Sequence, residues 1–198
     1  LVPDAETEVP EPGETGLPFS ETWSGGTGAW TPLAGTLDSW HVEGGEVDAI
    51  TIENLSASSG SYVRPTATIA LPETYRIRTS VRIDQIGANG TLSFLTDVLA
   101  PYSHVAQNLA VQFASTGLKI AKPNSKFTVC SGQSPVKTGE WFQLELTRAD
   151  GILAVRINSE LVASVATDAA GGTIALGAYR MNARFGGIGV EALDATPA

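Results

Sequence analysis

The chain has 198 residues, 42% of them hydrophobic, which is enough for one domain whose core needs neither disulfide nor metal. Its net charge of −9 would repel the phosphates of nucleic acids and an anionic membrane surface. No apolar run reaches the roughly 18 residues of a transmembrane helix. We therefore expect neither a nucleic-acid partner nor membrane insertion, and the single cysteine, Cys130, leaves no intramolecular disulfide.

Residues 1–16 come first and read LVPDAETEVPEPGETG, with five acidic residues, three prolines and no aromatic residue. Such a composition buries too little apolar surface to offset the entropy that is lost on ordering. We interpret residues 1–16 as a flexible arm or linker and residues 17–198 as one domain. The alternative is an arm that docks on a neighbouring subunit.

From Leu17 onward the apolar residues recur with period two, which is typical of half-buried β-strands. The clearest stretch is TYRIRTSVRID, followed by GTLSFLTDV, NLAVQFAS, WFQLELT and ILAVRIN. In each run the alternate apolar residues predict one buried face. Glycine, proline and asparagine lie between the runs, and no helical stripe is present. The sequence predicts an all-β fold of roughly a dozen short strands, packed as a two-sheet antiparallel sandwich.

Two tight-turn signals join strands in the last third of the chain. Asp150-Gly151 separates WFQLELT from ILAVRIN, and Asn158-Ser159 follows ILAVRIN. Both pairs tolerate the positive φ angles that two-residue hairpin turns require. We expect three consecutive antiparallel strands joined by these turns.

Four segments carry a joint family signal: LPFSETWSGGTGAW, WHVEGGEVDA, GEWFQLELTRADGILAVRINSELVAS and GTIALGAYRMNARFGGIGVEAL. Together, and in this order from Leu17 to Leu193, they resemble the concanavalin A-like lectin/glucanase domains, including the laminin G-like modules. The resemblance implies a jelly-roll sandwich with a concave and a convex sheet, whose closing strands lie beside the first strand. It also implies a role in binding glycans or proteins at surfaces.

Laminarinase-type members of this fold carry the motif Glu-x-Asp-x-(x)-Glu, which places nucleophile and acid on one face of one strand. The nearest match here is EVDAITIE, with Glu46, Asp48 and Glu53. Glu53 falls on the parity opposite to that of the other two carboxylates. We therefore expect no enzymatic activity, and we interpret Cys130 as a small apolar packing residue rather than a nucleophile.

Three arginines share the outward parity of one predicted strand. Arg76, Arg78 and Arg82 alternate with its apolar residues. One interpretation is a groove in which planar guanidinium groups bind an anionic or polyhydroxylated ligand. The other is a solvated face on which the arginines pair with carboxylates of neighbouring strands, such as Glu145.

Recognition residues tend to lie in loops on a rigid scaffold, and LAPYSHVAQN is one of the least strand-like stretches. We predict ligand contacts from Tyr102, His104 and Gln107 in that stretch, and from Trp30 as an exposed aromatic residue. The remaining tryptophans are predicted to be core residues: Trp23, Trp40 and Trp141.

The resemblance also implies a structural calcium site between the first and last strands, formed by an acidic residue and an aspartate. Glu21 matches the first position. The last-strand position is Gly186 or Gly187, which could contribute only a backbone carbonyl. Calcium is therefore a prediction that lacks one of its charged ligands.

Three functions remain open, all of them outside the cell. The first is a non-catalytic glycan-binding or adhesion module of a secreted or surface-displayed protein, with a glycan or surface polysaccharide as partner. The second is a structural or receptor-binding jelly-roll protein of a virion or other extracellular assembly, in which residues 1–16 contact neighbouring copies. The third is a glycoside hydrolase of the same fold, which the missing carboxylate motif disfavours.

Overall fold

The computed structural model describes residues 14–15, 17–44, 48–98, 109–121, 128–129, 136–168 and 171–193. Within these ranges the chain forms β-strands and turns but no helix, which confirms the predicted all-β class. The described residues therefore contain no helix that is long and apolar enough to cross a membrane. The strands are β1 (Glu14–Thr15), β2 (Phe19–Glu21), β3 (Trp30–Ala34), β4 (Trp40–Glu43), β5 (Ala49–Glu53), β6 (Ser61–Pro65), β7 (Thr68–Ile69), β8 (Tyr75–Val98), β9 (Leu109–Ala114), β10 (Gly117–Ala121), β11 (Thr128–Val129), β12 (Trp141–Ala149), β13 (Ile152–Ile157), β14 (Glu160–Ala166) and β15 (Thr173–Ala192).

Two strands are far longer than the short strands expected from the sequence, since β8 has 24 residues and β15 has 20. They pair antiparallel, from Tyr75 opposite Ala192 to Val98 opposite Thr173. The first half of β8 also pairs with β12, and its second half pairs with β9. The two long strands therefore run through both sheets of the sandwich.

A bulge turns these long strands from one sheet into the other. Residues 87–90 of β8 lie opposite Arg180 alone, because the pairing shifts there. Arg180 has a φ of 48°, and a Cβ at Gly90 would collide with the Arg180 carbonyl oxygen. Extra residues on one strand bend it, and glycine at position 90 permits the close approach.

The first sheet has the order β14-β13-β12-β8-β15, with β2 and β5 beyond β15 and β4 beyond β5. The second has the order β11-β10-β9-β8-β15-β6-β3. Their inner faces meet in the core, where Phe94 contacts Phe185 with 6.4 Å between ring centroids. Phe113 and Phe142 approach to 5.2 Å in the same way. As the resemblance implied, the first strand of the domain, β2, lies beside the last.

Burial alternates in the first sheet as the sequence predicts. From Tyr75 to Ile83 every second residue is buried, and β12 and β13 follow the same rule. In the second sheet, residues 92–98 of β8 and all of β9 are buried on both faces, so the expected solvent-exposed face is absent there.

Both predicted tight turns are confirmed by their backbone geometry. Asp150 and Gly151 have φ angles of 51° and 69°, and Asn158 and Ser159 have 50° and 73°. Two consecutive positive φ angles match the twist of a two-residue hairpin. The turns join β12, β13 and β14 into the expected antiparallel ladder.

The end of the predicted arm makes one contact with the domain. Glu14 and Thr15 form β1 and pair in parallel with Thr68 and Ile69 of β7. Residues 1–13 lie outside the described ranges, so the flexible-arm interpretation of that part stays a prediction.

Candidate ligand-binding face

The outer face of the first sheet carries the predicted arginines. Arg76, Arg78 and Arg82 point away from the core, as their parity indicates. The neighbouring strands add Arg156 and Arg184, so five of the eight arginines in the sequence lie on this surface, which we call the arginine face. Within an acidic chain, this is a local concentration of guanidinium groups.

Carboxylates from neighbouring strands alternate with these arginines. Glu145 lies 2.9 Å from Nε of Arg78, 3.6 Å from Arg156 and 3.9 Å from Arg76. Glu191 lies 3.1 Å from Arg76 and 3.7 Å from Arg78. The arginine face is therefore a network of donors and acceptors, in agreement with the interpretation in which the arginines pair with carboxylates of neighbouring strands.

One register row crosses the face from strand to strand. Arg156 lies opposite Glu145, Glu145 opposite Arg78, Arg78 opposite Gly189, and Gly189 opposite Ser20. A Cβ at Gly189 would meet nothing within 4 Å. The row thus has charged planar side chains at one end and, beside Arg78, open space above Gly189, which we call the open floor.

Two clefts flank Arg78, whose side chain is 57% exposed. The first, of ≈ 150 Å³, is lined by Gly189 and its neighbour Val190, and by Phe19 of β2. The second, of ≈ 430 Å³, extends past Glu145 to Arg156. Because Arg78 lines both clefts, a ligand that lies across the strands would contact Arg78 whichever cleft it occupies.

The other end of the arginine face is more closely paired. Arg82 and Arg184 both contact Asp84, at 2.7 and 2.8 Å, and Arg184 also contacts Glu43. The hydrogen bond to Asp84 is the largest cause that raises the pKa of Arg184, with Glu43 adding to it. His41 lies 3.2 Å from Glu43. Arg82 lines neither cleft beside Arg78, so the structure separates it from Arg76 and Arg78.

The prediction that Trp30 is exposed is wrong, because its side chain is only 3% exposed. Its ring packs on Trp23 with 5.1 Å between centroids, and its Nε1 donates to Glu21 at 3.0 Å. Sequence alone did not reveal this contact, since a tryptophan in GAWTP, with a glycine and a proline two residues away on either side, resembles a surface residue.

The other tryptophans divide differently from the prediction. Trp23 and Trp40 are core residues as expected. Trp141 is only half-buried and lies on the arginine face opposite Arg82, because its parity is that of Gln143 rather than that of Phe142. It therefore adds an aromatic surface beside the arginines.

The Glu21 carboxylate accepts hydrogen bonds from two N–H donors. They are the Trp23 backbone N–H, at 2.7 Å, and Trp30 Nε1. The Gly186 carbonyl accepts from Trp23 Nε1 at 2.8 Å and from Thr79. An N–H donor already approaches each Glu21 oxygen and the Gly186 carbonyl, and glycine at positions 186 and 187 adds no second carboxylate, so these groups favour hydrogen bonding over a cation and the calcium site implied by the resemblance stays a prediction. No cluster of three metal-ligating side chains occurs within the described ranges.

Several predicted residues fall outside the described part of the chain: Tyr102, His104, Gln107, Glu46 and Cys130. The strands on either side of the first three are neighbours, since Thr96 of β8 pairs with Leu109 of β9. Of the disfavoured carboxylate motif, Asp48 and Glu53 are described, and both are exposed.

The residues that sequence reasoning missed are Arg156, Glu191, Gly189 and Phe19. The parity of AVRIN already placed Arg156 outward. Its position beside Glu145, however, depends on strand register, which the sequence does not contain. The same holds for Gly189 beside Arg78.

No family model and no curated protein matches the sequence. Among solved structures, carbohydrate-binding module CBM66 from Bacillus subtilis has a TM-score of 0.62 at 11% identity, over 90% of this chain and 99% of that chain. The Bacillus licheniformis β-glucanase has a TM-score of 0.64 at 11% identity, over 89% and 98%. A Bacteroides ovatus mixed-linkage glucan GH16 protein has 0.63 at 8%, over 87% and 99%. The fold is the concanavalin A-like jelly roll, as the four sequence segments indicated.

Proposed function

We propose that this chain is a non-catalytic glycan-binding module of a secreted or surface-displayed protein, and that its glycan lies across the arginine face. The observation that carries the proposal is the position of Arg78 between two clefts, with Glu145 on one side and the open floor at Gly189 on the other.

The chemistry of this face suits a polyhydroxylated chain. Guanidinium groups donate paired hydrogen bonds, and carboxylates accept them. Glu145 and Glu191 alternate with Arg76 and Arg78, so neighbouring hydroxyl groups would find both a donor and an acceptor.

The arrangement of the carboxylates favours binding over hydrolysis. Glycoside hydrolases place two carboxyl groups on either side of the scissile bond, one of which gives up a proton. Glu145 and Glu191 instead each contact at least two guanidinium groups. Proteins of this fold include both a carbohydrate-binding module and glucanases, and we place this chain with the binding modules.

The test is a glycan array followed by calorimetric titration of any glycan that is bound. Arg78→Gln removes the central donor, and Gly189→Leu fills the first cleft from a position with open space. Gly25→Leu is the matched control, because a Cβ at Gly25 also meets nothing within 4 Å and the residue lines neither cleft.

We expect both face variants to lose at least tenfold in affinity, and Gly25→Leu to bind normally. A hydrogen bond to a charged group corresponds to about 10- to 100-fold in affinity. Absence of glycan binding together with a discrete oligomer in solution would instead favour the assembly hypothesis. Reducing-sugar release from a bound glycan would overturn the non-catalytic assignment.

A further inference from the structure

A separate cleft lies at the open edge of the sandwich, where β2 of the first sheet faces β3 and β6 of the second. We call it the Trp30 slot, after the aromatic residue at its wall. Its volume is ≈ 370 Å³, within the range of small-ligand sites. The residues that line it are Phe19, Glu21, Gly28, Ala29, Trp30, Pro65, Thr66 and Ala67.

The slot combines apolar walls with one acceptor. Phe19 is only partly buried and supplies an accessible apolar wall, Trp30 and Pro65 line the slot as buried residues, and Glu21 supplies a carboxylate. Each carboxylate oxygen accepts one N–H and keeps a further lone pair, since an oxygen of this type can accept two hydrogen bonds. No ion pair within the described ranges uses Glu21.

Donors are scarce in this lining. The indole N–H of Trp30 is already given to Glu21, and the Thr66 hydroxyl is the one other polar side-chain group among the lining residues. A ligand that fits must therefore bring its own donor together with apolar surface. An acetamido group does both, because its N–H can donate to the Glu21 carboxylate while its methyl group packs on Phe19.

The slot is continuous with the arginine face through one residue. Phe19, on the edge strand β2, is a lining residue both of the slot and of the first cleft beside Arg78. It lies on β2 opposite Val190, while Glu21 two residues further lies opposite Ile188. A chain that crosses the arginine face would reach the slot by passing Phe19.

We infer that the Trp30 slot binds a 2-acetamido sugar unit at the end of the glycan that crosses the arginine face. This inference rests on the proposed function for the identity of the ligand as a glycan. The slot itself is a separate cavity with its own lining, so binding there is measurable when the arginine face is blocked.

The experiment uses two sugars that differ only at the second carbon. Methyl 2-acetamido-2-deoxy-β-D-glucopyranoside and methyl β-D-glucopyranoside are titrated into the whole chain and followed by saturation-transfer NMR. Gly28→Leu fills the slot from a position where a Cβ meets nothing within 4 Å, and Gly25→Leu in the same loop is its matched control. Thr66→Trp fills the slot from an exposed lining residue next to Ala29.

We expect the acetamido sugar to bind at least tenfold more tightly, with the largest saturation transfer at its methyl group. Gly28→Leu and Thr66→Trp should abolish this signal, whereas Gly25→Leu and Gly189→Leu should keep it. Equal binding of the two sugars, no binding of either, or an acetamido signal that survives both slot variants would overturn the inference. If instead Gly189→Leu leaves the binding of longer glycans unchanged while the slot variants act as expected, the arginine-face proposal fails and the slot assignment stands.

Discussion

Two glycines of β15, Gly189 on the outer face of the first sheet and Gly177 on that of the second, have different surroundings. At Gly189, on the first sheet, a Cβ would find open space, whereas at Gly177, on the second, it would collide with the ring of Tyr62. Tyr62 is only 9% exposed, and burial raises its pKa. Other residues of that outer face are fully buried: Leu95, Ala110 and Ala175. The first sheet thus has one open face, and the second has none in this region.

Ion pairs differ in the same way between the open face and the interior. Arg78 and Glu145 meet with side chains 57% and 25% exposed. Arg148 and Asp97 lie 3.5 Å apart between the sheets, with side chains 6% and 1% exposed. The Tyr75 hydroxyl donates to Asp97 at 2.7 Å. Water can replace the partners of the exposed pair but not those of the buried pair. Removing the cation should therefore cost more stability in the buried pair than in the exposed one.

The largest effect is expected for Arg148→Met. It leaves the Asp97 carboxylate buried without its cation, which typically costs about 3–5 kcal/mol in the free energy of unfolding. Urea unfolding at neutral pH measures the change, with Lys137→Met as an exposed control whose pair with Glu140 contributes under about 1 kcal/mol. Equal losses in the two variants would remove the contrast between interior and surface.

A smaller effect is expected for Gly177→Ala. The added methyl group meets the Tyr62 ring, and overpacking of this kind costs roughly 1–3 kcal/mol. Gly189→Ala is the control on the same strand and should leave the melting temperature unchanged. Gly177→Ala should cost less in a Tyr62→Ser background than in the unaltered protein, and an equal cost in both backgrounds would mean that the clash is not the cause.

Asp97→Asn tests the interior charge through its pH dependence. Burial raises the pKa of Asp97, more than the Tyr75 hydrogen bond and Arg148 lower it. A raised folded pKa gives stability that is present below the unfolded value of about 3.9 and is lost as the pH rises through the folded value. The stability of the unaltered protein relative to Asp97→Asn should therefore fall from pH 4 upward, as measured by unfolding at several pH values. A difference that is constant with pH would mean that Arg148 fully offsets the burial.

The arginine face should tolerate the loss of its charges. Replacing Arg76, Arg78 and Arg82 together by glutamine should change the free energy of unfolding by under about 1 kcal/mol per pair, because exposed pairs contribute little. The melting temperature, glycan affinity and mass in solution of this variant are measured together. A large loss of stability would show that these pairs hold the first sheet together, and a change in mass would show that the face contacts another subunit.

The smallest effect is expected from calcium. Because N–H groups already bind the oxygens of Glu21 and Gly186, adding calcium or EDTA should leave the melting temperature within about 1 °C. A rise with calcium that disappears in Glu21→Gln would restore the site that the resemblance implied.

The local sequence determined which side of a strand is buried and where the tight turns lie, because both depend on neighbouring residues. The alternation from Tyr75 to Ile83 fixed which side of β8 is buried and placed the arginines outward. Asp150-Gly151 and Asn158-Ser159 fixed two turns, because few residue pairs accept two positive φ angles.

The tertiary structure decided what depends on register and on distant contacts. Trp30 reads as a surface residue but is buried by Trp23 and Glu21, and the length of β8 and β15 follows from their mutual pairing. Gly189 comes beside Arg78 only because antiparallel pairing aligns residues that are far apart in the chain. A one-residue slip of β15 would place a different residue there and turn its side chains to the other face, so the candidate binding face is a property of the sheet rather than of any segment of the sequence.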